Sequence, residues 1–351
     1  MPRAVVSEPA ADPFGERRRP AFTAHAQLLG GRFRFECETP ALLRIVQAAY
    51  AHLPAQRLAR RAPRFVVRLV QVRAPRGPAK RYEPAPVTAL AGAGFLSGVV
   101  GAGSYVAICP RRRAALIAVS AAMLRFPYHV RYELLEFAVY TLAARAQHLV
   151  PLHAACLGQG GTGALIMGPS GSGKSTLSLH ALLSGLEFLA EDSVMVRPRG
   201  LLATGVANFL HVRPDSLYLL DSTERAAVVA GAATIRRRSG VRKLEVDLRR
   251  SRYRLATAPL RLRAVVFLAA TPAGARPLLL PLRKSQLRRR LAAGQRYAVH
   301  QPGWRDFVER LAALPAFELR RGTDPHAGVE ALGALLRAAR QRRRQSGRGG
   351  R

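Results

Sequence analysis

The sequence predicts an α/β protein, with a P-loop nucleotide-binding core and a smaller α+β domain ahead of it. Three observations carry this reading. Gly168, Pro169, Ser170, Gly171, Ser172, Gly173, Lys174 and Ser175, followed by Thr176, fit the pattern G-x-x-x-x-G-K-[ST] at every fixed position. The apolar run Ala164–Met167 reads as a short buried strand entering that loop. Thr176–Ser184 reads as a helix leaving it, with Gly185 placed as its stop. Finally, 351 residues at 49% hydrophobic content leave room for one large core or two moderate ones. The expected divisions are a flexible leader over 1–25, the α+β domain over 26–147, the P-loop domain over 148–340 and a basic disordered tail over 341–351.

From the N-terminus, the first residues are rich in proline and arginine and read as loose. Ala26–Cys37 alternates as a strand does, with Arg32 and Arg34 set between apolar neighbours. Thr39 is placed as an N-cap with Pro40 at the first helical position, and Ala41–Leu53 spaces Leu42, Ile45, Val46 and Ala49 as a helix would. Phe65–Val72 is a strand, Arg73–Pro86 a loop, Ala114–Ser120 a compact apolar strand and Tyr128–Ala146 a long helix. Val87–Cys109 carries no charge, but its glycines, alanines and hydroxyls fit two short strands and a turn better than a membrane span. Leu152–Leu157 is expected as one strand, Gln159–Gly163 as a hairpin turn, and Leu186–Ala190 as a further strand after the P-loop helix. Beyond these, Leu202–His211 reads as a strand pair, Ala233–Lys243 as a basic loop and Leu262–Leu268 as a buried strand. Lys284–Leu291, Trp304–Leu314 and Pro325–Arg340 read as helices, and Phe317–Leu319 as the last strand.

The formal net charge of +35 favours polyanionic ligands. Lysine occurs only at Lys80, Lys174, Lys243 and Lys284, so the remaining positive charge is arginine, spread through every segment among alanine and leucine. An even spread is a compositional bias rather than a footprint, and no specific nucleic acid is expected. Cys37, Cys109 and Cys156 have neither metal-ligand spacing nor an even count, and read as thiols in a reducing compartment. Acidic and proline-rich residues follow Met1 in place of a signal peptide, and no membrane span is expected. The expected location is the cytoplasm.

The chemistry concentrates after His153. Glycines let successive backbone N–H groups turn inward around a polyphosphate, Lys174 can reach the β- and γ-phosphates, and the Ser175 hydroxyl can ligate Mg²⁺. The expected ligands are therefore ATP and Mg²⁺. Glu191 and Asp192 end the strand that follows the helix, sixteen residues after Ser175. In a βαβ unit the carboxyl ends of parallel neighbours share an edge, which brings both acids beside Lys174 and Ser175. One acid can orient the metal and the other accept a proton from an attacking hydroxyl. Asp192 with Ser175 is the expected metal pair, and Glu191 the better candidate for base, assisted by His153 from the preceding strand. ABC-type ATPases require an LSGGQ-type signature and GTPases an N-K-x-D motif, and neither string occurs.

The run from His153 through Val196 resembles the catalytic core of HPr kinase/phosphorylase and its relatives, the HPr-kinase-like serine kinases. It shares with them a histidine before a glycine hairpin, a P-loop ending in G-K-S, a helix closed by glycine, and Glu191-Asp192-Ser193-Val194. The resemblance implies an HPr kinase-like core, phosphate and Mg²⁺ binding at Lys174 and Ser175, and a base in the acidic pair supported by His153. Glu191 stands where the bacterial enzymes have aspartate. The family's Glu-Ile-Arg-Gly run is missing; Leu210-His-Val-Arg213 is its nearest positional candidate. Phosphorolysis and HPr as acceptor are therefore not implied, and the N-terminal portion does not resemble that of those enzymes. The closer resemblance is to divergent HPr-kinase-like proteins of modified-peptide pathways, including lasso peptide precursor kinases. It implies transfer of the γ-phosphate of ATP to a serine of a small protein or precursor peptide, and is compatible with a homo-oligomer. The alternatives are a nucleotide-binding scaffold without transfer activity and a kinase of a small-molecule hydroxyl.

Overall fold

A computed structural model of the chain describes residues 20–73, 83–92, 94–101, 103–250, 253–274, 277–322 and 324–346. Most of the expected leader lies outside these residues, but strand β1 already begins at Phe22 and runs to Leu28. It turns through Leu29 and Gly30, both at positive φ, into β2 (Gly31–Cys37). The run read as one strand is thus a hairpin. Helix α1 (Pro40–Tyr50) starts at Thr39, whose side chain accepts from the Leu42 amide, and buries Leu42, Ile45, Val46 and Ala49.

The chain continues through β3 (Arg64–Val72), β4 (Val87–Gly92), β5 (Phe95–Val100), β6 (Ser104–Cys109) and β7 (Ala114–Ser120). These strands form one seven-stranded sheet in the order β1-β2-β3-β7-β6-β5-β4. The uncharged stretch Val87–Cys109 therefore makes three strands, not two. No helix among the described residues is long and apolar enough to cross a membrane. The expected helix over Tyr128–Ala146 is interrupted. A π-helical turn (Val130–Leu135) precedes α2 (Glu136–Gln147), and its extra residue per turn re-aims the polar side chains it carries. Buried Leu134, Leu135, Val139 and Leu142 seat this segment on the sheet.

The second sheet holds the site. It contains β8 (Val150–Leu152), β9 (Ala155–Gln159), β10 (Thr162–Met167), then helix α3 (Lys174–Leu183), β11 (Glu187–Ala190), β12 (Val194–Arg197) and β13 (Leu202–Thr204). The strand expected over Leu152–Leu157 is broken at His153: β8 pairs with β12, whereas β9 pairs with β10 and β11. Next come β14 (Phe209–Val212), α4 (Ser222–Ala230), β15 (Ala232–Arg236), β16 (Arg242–Asp247) and the long β17 (Leu260–Pro272). The expected pair over Leu202–His211 is divided between sheets, with β13 in the second and β14 in a three-stranded sheet ordered β14-β16-β15. The expected basic loop is mostly a hairpin, β15 and β16, whose turn carries Arg237.

The chain ends with β18 (Leu279–Pro281), α5 (Lys284–Gly294), α6 (Trp304–Leu311), β19 (Ala316–Arg321) and α7 (Pro325–Ser346). Helix α7 occupies 341–346, where a disordered tail was expected; 347–351 lie outside the described residues. Strand β17 pairs in parallel with β10 on one side and β19 on the other. Both faces of this sheet are covered, and β10 is buried at every position. Leu165 and Met167 pack with Leu287, Leu291, Phe307 and Leu311 on one face. Ala164 and Ile166 pack with Leu177, Leu182, Leu332 and Leu336 on the other. The result is an α/β architecture with mixed sheets.

Candidate functional site

The glycine-rich loop leaves the end of β10 and closes into α3. Gly171 and Gly173 have φ of 81° and 98°, a region that side-chain-bearing residues rarely occupy. The Lys174 ammonium donates to the carbonyls of Gly168 at 2.8 Å and Pro169 at 3.3 Å, which holds it across the loop. Burial draws its pKa below the usual lysine value, and the charges of Asp192 and Glu191 oppose that shift. The Ser172 hydroxyl is buried without a partner inside the loop. Thr176 Oγ1 lies 2.9 Å from Ser216 Oγ. A cavity of about 480 Å³ opens beside Gly171–Leu177, with Arg213, Leu219, Leu268 and Asp324 on its far walls.

The acidic pair reaches this loop by a different route from the one the sequence suggested. Strands β10 and β11 are not neighbours. Strand β9 lies between them, antiparallel to both, so β10 and β11 run the same way and end at one edge. There the Ser175 hydroxyl donates to Glu191 Oε1. Glu191 Oε2 accepts from the His211 amide at 2.8 Å, and the carboxylate is only 2% exposed.

Asp192 faces the other way. Its φ of 60° is left-handed, a conformation aspartate tolerates better than most residues, and it turns the side chain outward from the strand direction. The carboxylate is 31% exposed and receives Arg237 Nη2 at 3.4 Å. Burial would raise its pKa, but the charges of His153, Arg237, Lys243 and Lys174 outweigh that and hold it below the usual aspartate value.

His153 sits in the break between β8 and β9. Its Nδ1 is 3.2 Å from the Asp192 carbonyl oxygen, so it contacts the backbone of the acid pair rather than either carboxylate. Gln295, at the end of α5, clamps it: the His153 amide donates to Gln295 Oε1 at 2.8 Å, and Gln295 Nε2 donates to the His153 carbonyl at 3.0 Å.

Sequence reasoning missed the polar cluster behind Glu191. His211 and Glu245 are cross-strand partners on β14 and β16, and His211 Nε2 lies 3.3 Å from Glu245 and 2.7 Å from the Tyr132 hydroxyl. Arg131 donates to Glu245 and stacks 4.1 Å over Phe209. Burial raises the Glu245 pKa, but hydrogen bonds from His211 and Arg131 overcome it and bring the carboxyl to about 2. Burial lowers the His211 pKa, yet Glu191 and Glu245 raise it above the usual histidine value. The only sequence signal was Leu210-His-Val-Arg213, whose histidine offered no spacing relation to either acid.

Two further cavities meet at Asp192. One, about 300 Å³, is lined by Tyr128, Tyr132, Glu133, Glu191, His211 and Arg237; the other, about 430 Å³, by Phe137, Leu152, His153, Gln295 and Tyr297. Tyr132, Glu136, Tyr140, Asp192 and Ser193 belong to both. The glycine-rich loop therefore lies on one side of the acid pair and an open trench on the other.

No family model matches the chain, and no curated protein matches it in sequence. Among solved structures it is similar to the HPr(Ser) kinase/phosphatase from Coxiella burnetii, with a TM-score of 0.29 and 12% identity, over 57% of this chain and 95% of that one.

Proposed function

We propose that the chain is an ATP-dependent kinase that transfers the γ-phosphate to a serine hydroxyl of a small protein or precursor peptide. The observation that carries the proposal is the bond from Ser175 to Glu191, which joins the glycine-rich loop to the acid pair. The loop amides and Lys174 would hold the phosphates, with the N-terminal end of α3 facing them. Among the described residues no cluster of three or more His, Cys, Asp or Glu is placed to hold a metal. A hydroxyl with one carboxylate fits Mg²⁺, which takes few protein ligands and completes its shell with water and phosphate. When bound it would supply charge neutralisation at the transferring group.

The geometry favours a division of labour opposite to the one read from the sequence. Glu191 is buried and committed to Ser175, so it suits the metal side. Asp192 is reachable from the trench and kept ionised, so it suits the base. In the transfer step the acceptor oxygen bonds to the γ-phosphorus and the bond to the β–γ bridging oxygen breaks. The hydroxyl proton passes to Asp192, and ADP leaves. His153, pinned by Gln295, holds the Asp192 backbone and supports its charge.

The test is incubation with γ-labelled ATP and serine-containing peptides, with free serine and simple sugars as controls. Label on a peptide serine, lost in Lys174→Ala, is the expected outcome. Label on a small-molecule hydroxyl alone reassigns the acceptor. ATP binding with no transfer to any hydroxyl leaves a nucleotide-binding scaffold.

A further inference from the structure

We propose that the outer edge of β4 takes an extended segment of the acceptor peptide as an added strand and so leads its hydroxyl to Asp192. This rests on the kinase reading above and names how the acceptor is held. Among the described residues, strand β4 ends the seven-stranded sheet and pairs only with β5, through six consecutive residue pairs without a bulge. Five of its six residues are exposed, and the stretch from Val87 to Cys109 contains neither a charge nor a proline. Natural edges are normally blunted by a lysine, a proline, a bulge or a short length. This edge has none of these among its described residues.

The face around the edge is apolar as well. Leu90 is 60% exposed, Phe95 51% and Tyr105 39%. Register puts them together: Gly92 lies opposite Phe95, and Thr88 opposite Val99, which is opposite Tyr105. Thr88, Leu90 and Gly92 share one face by alternation. The other face packs inward at its start, where a Cβ on Gly98 would meet Val87 and Phe137, the latter a wall of the trench.

The strand also starts at the site. Arg238 donates to the carbonyls of Pro84 at 2.8 Å and Ala85 at 3.0 Å, just before Val87, while its neighbour Arg237 holds Asp192. Arg236, 59% exposed, lies 3.4 Å from Glu83. An antiparallel strand added to β4 would run toward these arginines and deliver its C-terminal end to the trench. The charge pattern selects the occupant. A neutral, alternating segment matches β4, and acidic residues after it match Arg236 and Arg237. A second copy would instead bring +35 against +35.

The probe is a labelled synthetic peptide of six alternating valines and threonines followed by two glutamates, a glycine and a serine. With it, amide exchange over 87–92 is expected to slow about tenfold or more, and Leu90→Lys to raise the peptide Kd about tenfold. Leu90→Thr should bind as the unmodified chain does, and a fluorescent ATP analogue should bind both variants equally. Absent binding, binding that leaves 87–92 unprotected, or an indifferent Leu90→Lys overturns the proposal. So does a dimer that Leu90→Lys converts to monomer, which assigns the edge to a second copy. Protection with no phosphoryl transfer to any hydroxyl refutes the kinase reading and leaves the docking in place; transfer without protection does the reverse.

Discussion

Replacing Asp192 with asparagine removes the exposed carboxylate proposed as proton acceptor while leaving Glu191, Ser175 and the loop untouched. Transfer is expected to fall by about 10³-fold, with nucleotide affinity changed by less than about threefold; single-turnover kinetics and nucleotide titration separate the two. Lys174→Ala should act earlier, on nucleotide binding itself. Because the charges around Asp192 hold its pKa below the usual value, its carboxylate stays ionised through neutral pH. Activity should show no acid limb from this group between about pH 5 and 8.

Glu136, which lines both halves of the trench, behaves oppositely. Burial pushes it up to about 7 from an ordinary 4.5, against the opposing charges of Arg131 and His211. Between those values the folded chain keeps a proton that the unfolded chain has released, so stability falls as pH rises. Relative to Glu136→Gln, the unmodified chain should lose roughly 3 kcal/mol between pH 5 and 8. Urea unfolding of both proteins at the two pH values measures it, and parallel loss in both would sink the assignment.

At the scale of elements, the loop between β10 and α3 depends on backbone that only glycine adopts cheaply. Gly173→Ala, at φ of 98°, should cost about 1–2 kcal/mol of stability and weaken nucleotide binding by more than about tenfold. Thermal melts and nucleotide titration check both. This segment was legible in the sequence because its information is local: a fully apolar strand, a motif of fixed spacing and a glycine stop at Gly185. The site's other half was less so. Glu191 and Asp192 were legible as a pair, but their opposite environments depend on the left-handed φ at Asp192 and on partners far along the chain. Strand β14 pairs with residues 244–247, and nothing near Leu210 announces them. The break at His153 was hidden for the same reason, since its two halves look continuous until their different partners are known. The separation of β13 from β14 and the folding of the basic stretch into a hairpin likewise rest on pairing that no local pattern encodes.

Across the whole molecule, the arginine excess should be felt as a field rather than as a recognition code. Retention on duplex DNA is expected to be weak, steeply salt-dependent and indifferent to sequence, with two unrelated duplexes bound within about threefold of each other at every salt concentration. A preference of tenfold or more for one duplex would contradict this. The helices on both faces of the second sheet keep the loop and the acids on one rigid body. What lies between them is β9, five residues long and antiparallel to both supporting strands. Two strand spacings, roughly 10 Å in all, therefore separate the axes of β10 and β11, and the Ser175–Glu191 bond closes that gap at their common edge. Strand β9 works as the fixed bar of a caliper. One residue past its middle, Gly158 leaves no slack, since a Cβ there would fall 2.5 Å from Leu260 Cδ1 and 2.7 Å from the Thr162 carbonyl. A single methyl at that position, far along the strands from the glycine-rich loop and the acids, would force Leu260 or the Thr162 backbone to give and so disturb the spacing that the bar sets.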